Sequence, residues 1–242
     1  MKKRTRIILS VCLAALLVFG VGGYAYVSDY CHADETALEA MAYQTDSVQV
    51  EQDGDVIWFA PEAPTAGLIF YPGGKVEYTA YAPLLRACAE NGILCALVRM
   101  PGNLAVLDAN AADGLQQEYP EVTTWYIAGH SLGGAMAAGY TAAHEKDFDG
   151  LILLAAYSTK DLTGTPLRVL SVYGSEDGVL NRESYEKNRS NLPTDTTEVV
   201  LDGGCHAQFG SYGPQDGDGI PTISGEEQVR QTVEAIVAFV GR

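Results

Sequence analysis

The sequence has few basic residues and none of the spacings that hold a metal. Its 242 residues include 15 Lys and Arg against 31 Asp and Glu, for a formal charge of −16. Four of those basic residues, Lys2, Lys3, Arg4 and Arg6, stand together at the N-terminus, so the remainder is more acidic still. Such a surface excludes nucleic acid as a partner, because a phosphate backbone is bound through clustered cations, and it disfavours docking of the folded part on anionic lipid. The five cysteines, at 12, 31, 88, 95 and 205, form no CxxC pair and no zinc spacing with the four histidines. No metal site is therefore expected. Cys88 falls in a helical pattern and Cys95 in an apolar strand pattern, where thiols behave as small buried hydrophobes rather than as a disulfide framework. There is no internal repeat and no low-complexity tract.

What is present begins with an uncharged run, residues 7–27, IILSVCLAALLVFGVGGYAYV. Its length matches the roughly 20 apolar residues that cross a bilayer as a helix, and the basic cluster before it predicts a cytoplasmic N-terminus. The expectation is a single-pass anchor over 1–28, a location in the cell membrane and an extracytoplasmic catalytic domain. The alternative is a signal peptide cleaved near Cys31-His32-Ala33, which would leave a secreted protein. The acidic segment SDYCHADETALEAMAY predicts a helical stalk within 29–46. A single globular domain then spans 47–242; the 47% hydrophobic composition is enough for it to bury a sizeable core.

Within that domain, VQVEQ and VIWFA flank Asp53-Gly54, the signature of a β-hairpin. From Ala66 onward short apolar runs alternate with helical stretches. The strands are AGLIFY, ILCALVRM, TTWYIAGH, GLILLAA, LRVLSVYG and TEVVL. The helices are YAPLLRACAEN, LAVLDANAADGLQQE, SLGGAMAAGYTAAHE and a closing helix from Gly225 to Val240. Alternation of this kind predicts an α/β domain, with a mostly parallel central sheet and helices on both faces. Only about ten residues separate GLILLAA from LRVLSVYG, too few for a large lid domain. Residues 211–225 read as a long Gly/Asp/Pro-rich loop.

The segment Gly129-His130-Ser131-Leu132-Gly133 is a G-x-S-x-G sequence directly after a strand and directly before a helix. Such a turn strains the serine backbone, and residues two before and two after it must lack bulk, which Gly129 and Gly133 satisfy. Ser131 is the candidate nucleophile. Its hydroxyl needs a base, and His206, on the loop after TEVVL, is the candidate; His130 is confined to the turn, His144 ends a surface helix and His32 belongs to the stalk. The base in turn needs a carboxylate on its far nitrogen. Asp177, just after LRVLSVYG, completes the order serine, acid, histidine, with Glu176 and Asp202 as its competitors. One oxyanion donor is expected from the amide of Leu132 at the helix N-terminus and a second from Gly73 or Gly74 in Tyr71-Pro72-Gly73-Gly74-Lys75. Lys75 either faces the pocket or is solvated. Asp216 and Asp218 are expected to serve as turn formers rather than calcium ligands.

With FYPGGK, GHSLGG, YGSEDGV and GGCHAQFGSYG in this order, the chain resembles the α/β-hydrolase superfamily over about residues 55–242, the extent of the alternating pattern. In particular it resembles the small, lidless bacterial branch of dienelactone-hydrolase-like and carboxylesterase-like proteins. Tyr71-Pro72 stands where His-Gly commonly opens the oxyanion loop, and Ser131 stands where true dienelactone hydrolases use cysteine. The resemblance implies an α/β-hydrolase fold and a cofactor-free serine hydrolase; the missing lid implies a small or medium ester-like substrate, the anchor a substrate met at the cell envelope, and a monomer is expected. Thioester, amide or acyl-transfer chemistry on the same triad, and a catalytically silent binding module, are the alternatives.

Overall fold

The computed structural model describes residues 3–43 and 47–241, which divide into two compact units at Tyr30 and Cys31. The first holds one helix, α1 (Lys3–Ser28), with Leu13, Leu16, Leu17, Val18 and Val21 exposed. Among the described residues no helix is long and apolar enough to cross a membrane. This overturns the expected single-pass anchor and, with it, the membrane partner, the location in the cell membrane and the extracytoplasmic placement of the domain. In the C-terminal part of α1, Gly20, Gly22, Gly23, Tyr24 and Tyr26 stand in place of aliphatic residues and lower its hydropathy.

The second unit begins inside the segment expected as a stalk. Cys31 bridges to Val76 in parallel, Asp34 caps α2 (Glu35–Ala42) through the Ala37 amide at 3.1 Å, and Ala37 is buried. This segment packs on the domain because the Arg86 guanidinium reaches back to the carbonyls of Ala40 and Tyr43.

Strands β1 (Val48–Asp53) and β2 (Val56–Pro61) form the expected hairpin, with Gly54 supplying the positive φ of 56° at its turn. They lead into β3 (Ala66–Tyr71), α3 (Ala82–Glu90), β4 (Ile93–Val98), β5 (Trp125–His130), α4 (Leu132–Ala143) and β6 (Gly150–Leu154). The chain closes with β7 (Arg168–Gly174), α5 (Arg182–Asn188), β8 (Thr196–Leu201) and α6 (Gly225–Val240). The eight strands lie in the order β1-β2-β4-β3-β5-β6-β7-β8, antiparallel at the β1-β2-β4 edge and parallel from β4 to β8.

Strand alternation divides the core into two layers, because successive side chains point to opposite faces. Leu68, Phe70, Tyr126, Ala128, Ile152 and Leu154 face one layer with Leu84, Leu85, Ile236 and Phe239 of α3 and α6. Ile69, Tyr71, Ile127, Leu151 and Leu153 face the other with Ala137 and Ala138 of α4. Helices thus cover both faces, and the β6 to β7 connection contains no lid domain.

One expected helix is absent. Residues 104–118 form only two short 3-10 turns, Ala105–Leu107 and Leu115–Glu118, separated by turn structure. Asp108, Asn110, Asp113 and Gly114 favour turns over helix, and Gly114 has φ 84°. The buried Tyr71 hydroxyl fixes the segment, donating to the Ala109 carbonyl at 3.0 Å and accepting from the Ala112 amide at 2.9 Å.

Cys88, Cys95 and Cys205 are buried free thiols. Burial pushes the Cys95 thiol well above its ordinary value, helped by its neighbour Cys88, and pushes Cys205 up to about 11. A water-soluble disulfide reagent at pH 8 should therefore leave these three unmodified in the native protein and titrate them only after denaturant is added; rapid native labelling of Cys95 would contradict this packing.

Candidate active site

The site is built at the carboxyl ends of β3, β5, β7 and β8, where an open parallel sheet places its reactive loops. Ser131 sits between β5 and α4 with φ 52° and ψ −120°, a conformation that non-glycine residues rarely adopt. The surrounding backbone enforces it. The Ser131 amide donates to the Leu154 carbonyl at 2.9 Å. A Cβ on Gly133 would lie 2.2 Å from the carbonyl oxygens of Tyr71 and Pro72, and one on Gly129 would lie 2.5 Å from the Gly133 carbonyl carbon. The glycines are thus required by contact of backbone with backbone. Ala155, Lys75 and Asn103 also have positive φ, at 47°, 59° and 56°. Ala155 follows the Leu154 that receives the Ser131 amide, and Lys75 follows Gly74 and donates its amide to the Asn103 carbonyl at 2.8 Å. Backbone strain is therefore concentrated in the loops around the serine.

His206 follows β8, and its Nδ1 lies 2.9 Å from Asp177 Oδ2, with both side chains buried. The other carboxylate oxygen of Asp177 accepts from the amides of Val179 at 2.9 Å and Leu180 at 2.8 Å. A carboxylate held in this way keeps the proton of His206 on Nδ1 and leaves Nε2 as the basic nitrogen. The competing acids are elsewhere: Glu176 is exposed and accepts from the Ser175 hydroxyl, and Asp202 is exposed. The ring of His206 lies 4.5 Å, centroid to centroid, from that of His130, the immediate neighbour of Ser131. Among the described residues the Ser131 hydroxyl makes no hydrogen bond, to His206 or to any other group.

The two glycines expected to supply an oxyanion donor have different roles. The Gly73 amide points inward and donates to the Tyr81 hydroxyl at 3.0 Å, which removes it from the donor set. Gly74 faces the elbow, since a Cβ there would come within 2.8 Å of Leu132 Cδ2. Among the described residues the amides of Gly74 and Leu132 have no protein acceptor.

Asp218, which reads in the sequence as a turn former, has a larger role. Its Oδ1 accepts from the amides of Gly178, His206 and Gly219 at 3.1, 3.1 and 2.8 Å, and its Oδ2 accepts from Ala207 at 2.8 Å. Burial alone would raise its pKa, but the four amides outweigh burial and hold the carboxyl below its ordinary value. Asp218 thus ties the loop bearing Asp177 to the loop bearing His206. The loops meet backbone to backbone, as a Cβ on Gly219 would collide with the Glu176 carbonyl and one on Gly178 with that of Gly217. The available signal was the DGDG segment itself, whose glycines permit close approach, but the distance to residues 178 and 206 is tertiary information. No group of three or more His, Cys, Asp or Glu that could hold a metal occurs among the described residues.

His130 is fully buried, and its pKa lies well below the ordinary value of 6.5, first through burial and then through the neighbouring His206 ring.

A family model described as the alpha/beta hydrolase family matches residues 67–230. No curated protein matches the sequence. Among solved structures, TT1662 from Thermus thermophilus aligns with a TM-score of 0.59 at 16% identity, covering 81% of this chain and 99% of its own. A protein from Thermoplasma acidophilum described as a predicted CIB-like hydrolase aligns with a TM-score of 0.56 at 18% identity, covering 79% of this chain and 99% of its own. At these identities the two structures speak for the fold alone.

Two consequences are measurable. Asp218→Asn halves the acceptor capacity for four amides; it should lower thermal stability by about 1–3 kcal/mol and reduce turnover of any substrate through looser placement of His206, while unchanged stability would refute the clamp. Because folded His130 is neutral and the unfolded chain takes up its proton below about 6.5, stability falls as the pH is lowered through that value. The melting temperature should drop between pH 7 and pH 5, and less steeply in His130→Asn; equal slopes would contradict the assignment.

Proposed function

The chain belongs to the alpha/beta hydrolase family, and from that membership we propose that it is a serine hydrolase cleaving a carboxylic ester-like bond through an acyl-enzyme. The observation that carries this reading is the buried Asp177–His206 pair, at 2.9 Å, whose imidazole lies 4.5 Å from the ring of His130, the residue before a serine held at φ 52°.

Ser131 Oγ attacks the substrate carbonyl as His206 Nε2 takes its proton, and the developing imidazolium is stabilised by Asp177 through Nδ1–H. The amides of Leu132 and Gly74 receive the oxyanion, each such donor lowering the barrier by about 3 kcal/mol. Collapse of the tetrahedral intermediate expels the alcohol, which takes the proton from His206. Water, deprotonated by the same nitrogen, then releases the acid and restores the serine. Every proton passes through a group of this chain, so the reading requires no cofactor. The absence of a lid domain supports a substrate that reaches the serine from open solvent and is small or medium in size.

A fluorophosphonate probe on the full chain tests the reading. Wild type should be labelled and Ser131→Ala should not; a folded wild type that resists labelling would instead favour a binding module that has kept the fold. On p-nitrophenyl esters, Ser131→Ala should lose on the order of 10⁵-fold in kcat and Asp177→Asn about 10⁴-fold. A parallel series of thioesters and amides of graded acyl length shows which leaving group the site accepts.

A further inference from the structure

His130 lies inside the elbow motif but takes no part in the proton transfers just described, and it is 1% exposed. Its Nδ1 lies 2.8 Å from the hydroxyl of Tyr81, a residue with no exposed surface at the end of the 3-10 turn Tyr78–Tyr81. That hydroxyl also accepts from the Gly73 amide at 3.0 Å. A phenol has one proton to give, and with a lone pair committed to Gly73 N–H, the proton goes to His130 Nδ1. Nδ1 is then an acceptor, and the proton of the neutral ring sits on Nε2.

Nε2 is buried and makes no well-formed hydrogen bond, its one polar interaction being with the backbone of His206. A buried polar nitrogen without a well-formed partner is costly, and the bond from Tyr81 to the other ring nitrogen is what the imidazole supplies in return. The ring faces His206 at 4.5 Å and Phe209 at 5.5 Å between centroids. On the other side of the pair, a Cβ on Gly73 would come within 2.7 Å of the Tyr81 hydroxyl and 2.8 Å of His130 Nδ1, so the oxyanion loop rests directly on these two groups.

We propose that Tyr81 and His130 are positioning residues for the reaction. They link the loop that presents the Gly74 amide to the ring that serves as base, so that donor and base are held at one spacing. Tyr81 sets the height of the loop through Gly73 N–H, and His130 carries that position to the face of His206. The titratable groups facing His130 are Tyr81 and His206; Phe209 packs on the His130 ring and Phe70 on that of Tyr81. The inference rests on the reading of Ser131 and His206 as nucleophile and base.

The test uses the full chain with rates expressed per fluorophosphonate-titratable serine, so that a poorly folded variant loses sites rather than turnover. Tyr81→Phe keeps the ring and removes the hydroxyl. His130→Asn keeps an acceptor for Tyr81 and removes the ring from His206. Each should lower kcat for a p-nitrophenyl ester about tenfold with KM changed less than about twofold. Because both belong to one linkage, the double variant should lose little more than the worse single variant. Wild-type kcat in Tyr81→Phe, or losses that multiply as independent effects, would overturn the linkage while leaving the serine hydrolase reading intact. A wild type that neither takes the probe nor hydrolyses the ester would overturn both.

Discussion

The architecture of the site depends on one close approach, that of the turn Gly129-His130-Ser131-Leu132-Gly133 to the end of β3. At Gly133 a side chain would occupy space held by the carbonyl oxygens of Tyr71 and Pro72. Only because Gly133 carries no side chain can α4 begin against β3 and hold Ser131 at a positive φ. The strain is supported by the parallel ladder on both sides, β3 paired with β5 and β5 with β6, and the neighbouring loops share it through Lys75, Asn103 and Ala155. A rigid sheet with strained loops at one edge is the arrangement that holds Ser131 above the core, where the proposed mechanism needs its hydroxyl.

Charge is distributed to the same end. The chain is strongly acidic overall, yet the two carboxylates that organise the site are saturated by amide donors or histidine. Asp177 is bound by His206 and two backbone amides, and Asp218 by four. Their negative charge is therefore directed at named donors rather than spread into the cleft. Among the described residues the other acidic groups are exposed or partly exposed and bear on solubility and choice of partner.

Much of this was legible in the sequence because it is local. Strand alternation, the DG turn of the hairpin and the strand-serine-helix order each occupy a few consecutive residues, and each appears where expected. Two misreadings share one cause, a hydrogen bond from a distant segment. Residues 104–118 have helical spacing of apolar side chains, but their turn formers and a hydrogen bond from Tyr71, more than thirty residues earlier in the chain, hold them in turns. Of the two glycines expected to offer an oxyanion donor, Gly73 instead directs its amide to the Tyr81 hydroxyl. The N-terminal run had the length of a membrane span, yet among the described residues no helix meets the requirement.

The sequence by itself determined the alternating strands and helices, the glycines flanking Ser131 and the chain order in which serine, acid and histidine follow the sheet. These are consequences of spacing and of backbone sterics, which act between neighbours. The tertiary structure alone decided which carboxylate meets His206, which glycine amide is left to face the elbow, and that Asp218 and the Tyr81–His130 pair support the site from beneath. Those are contacts between segments tens of residues apart, and a hydrogen bond at 3 Å depends on where the sheet brings its two ends, a quantity that no local pattern carries.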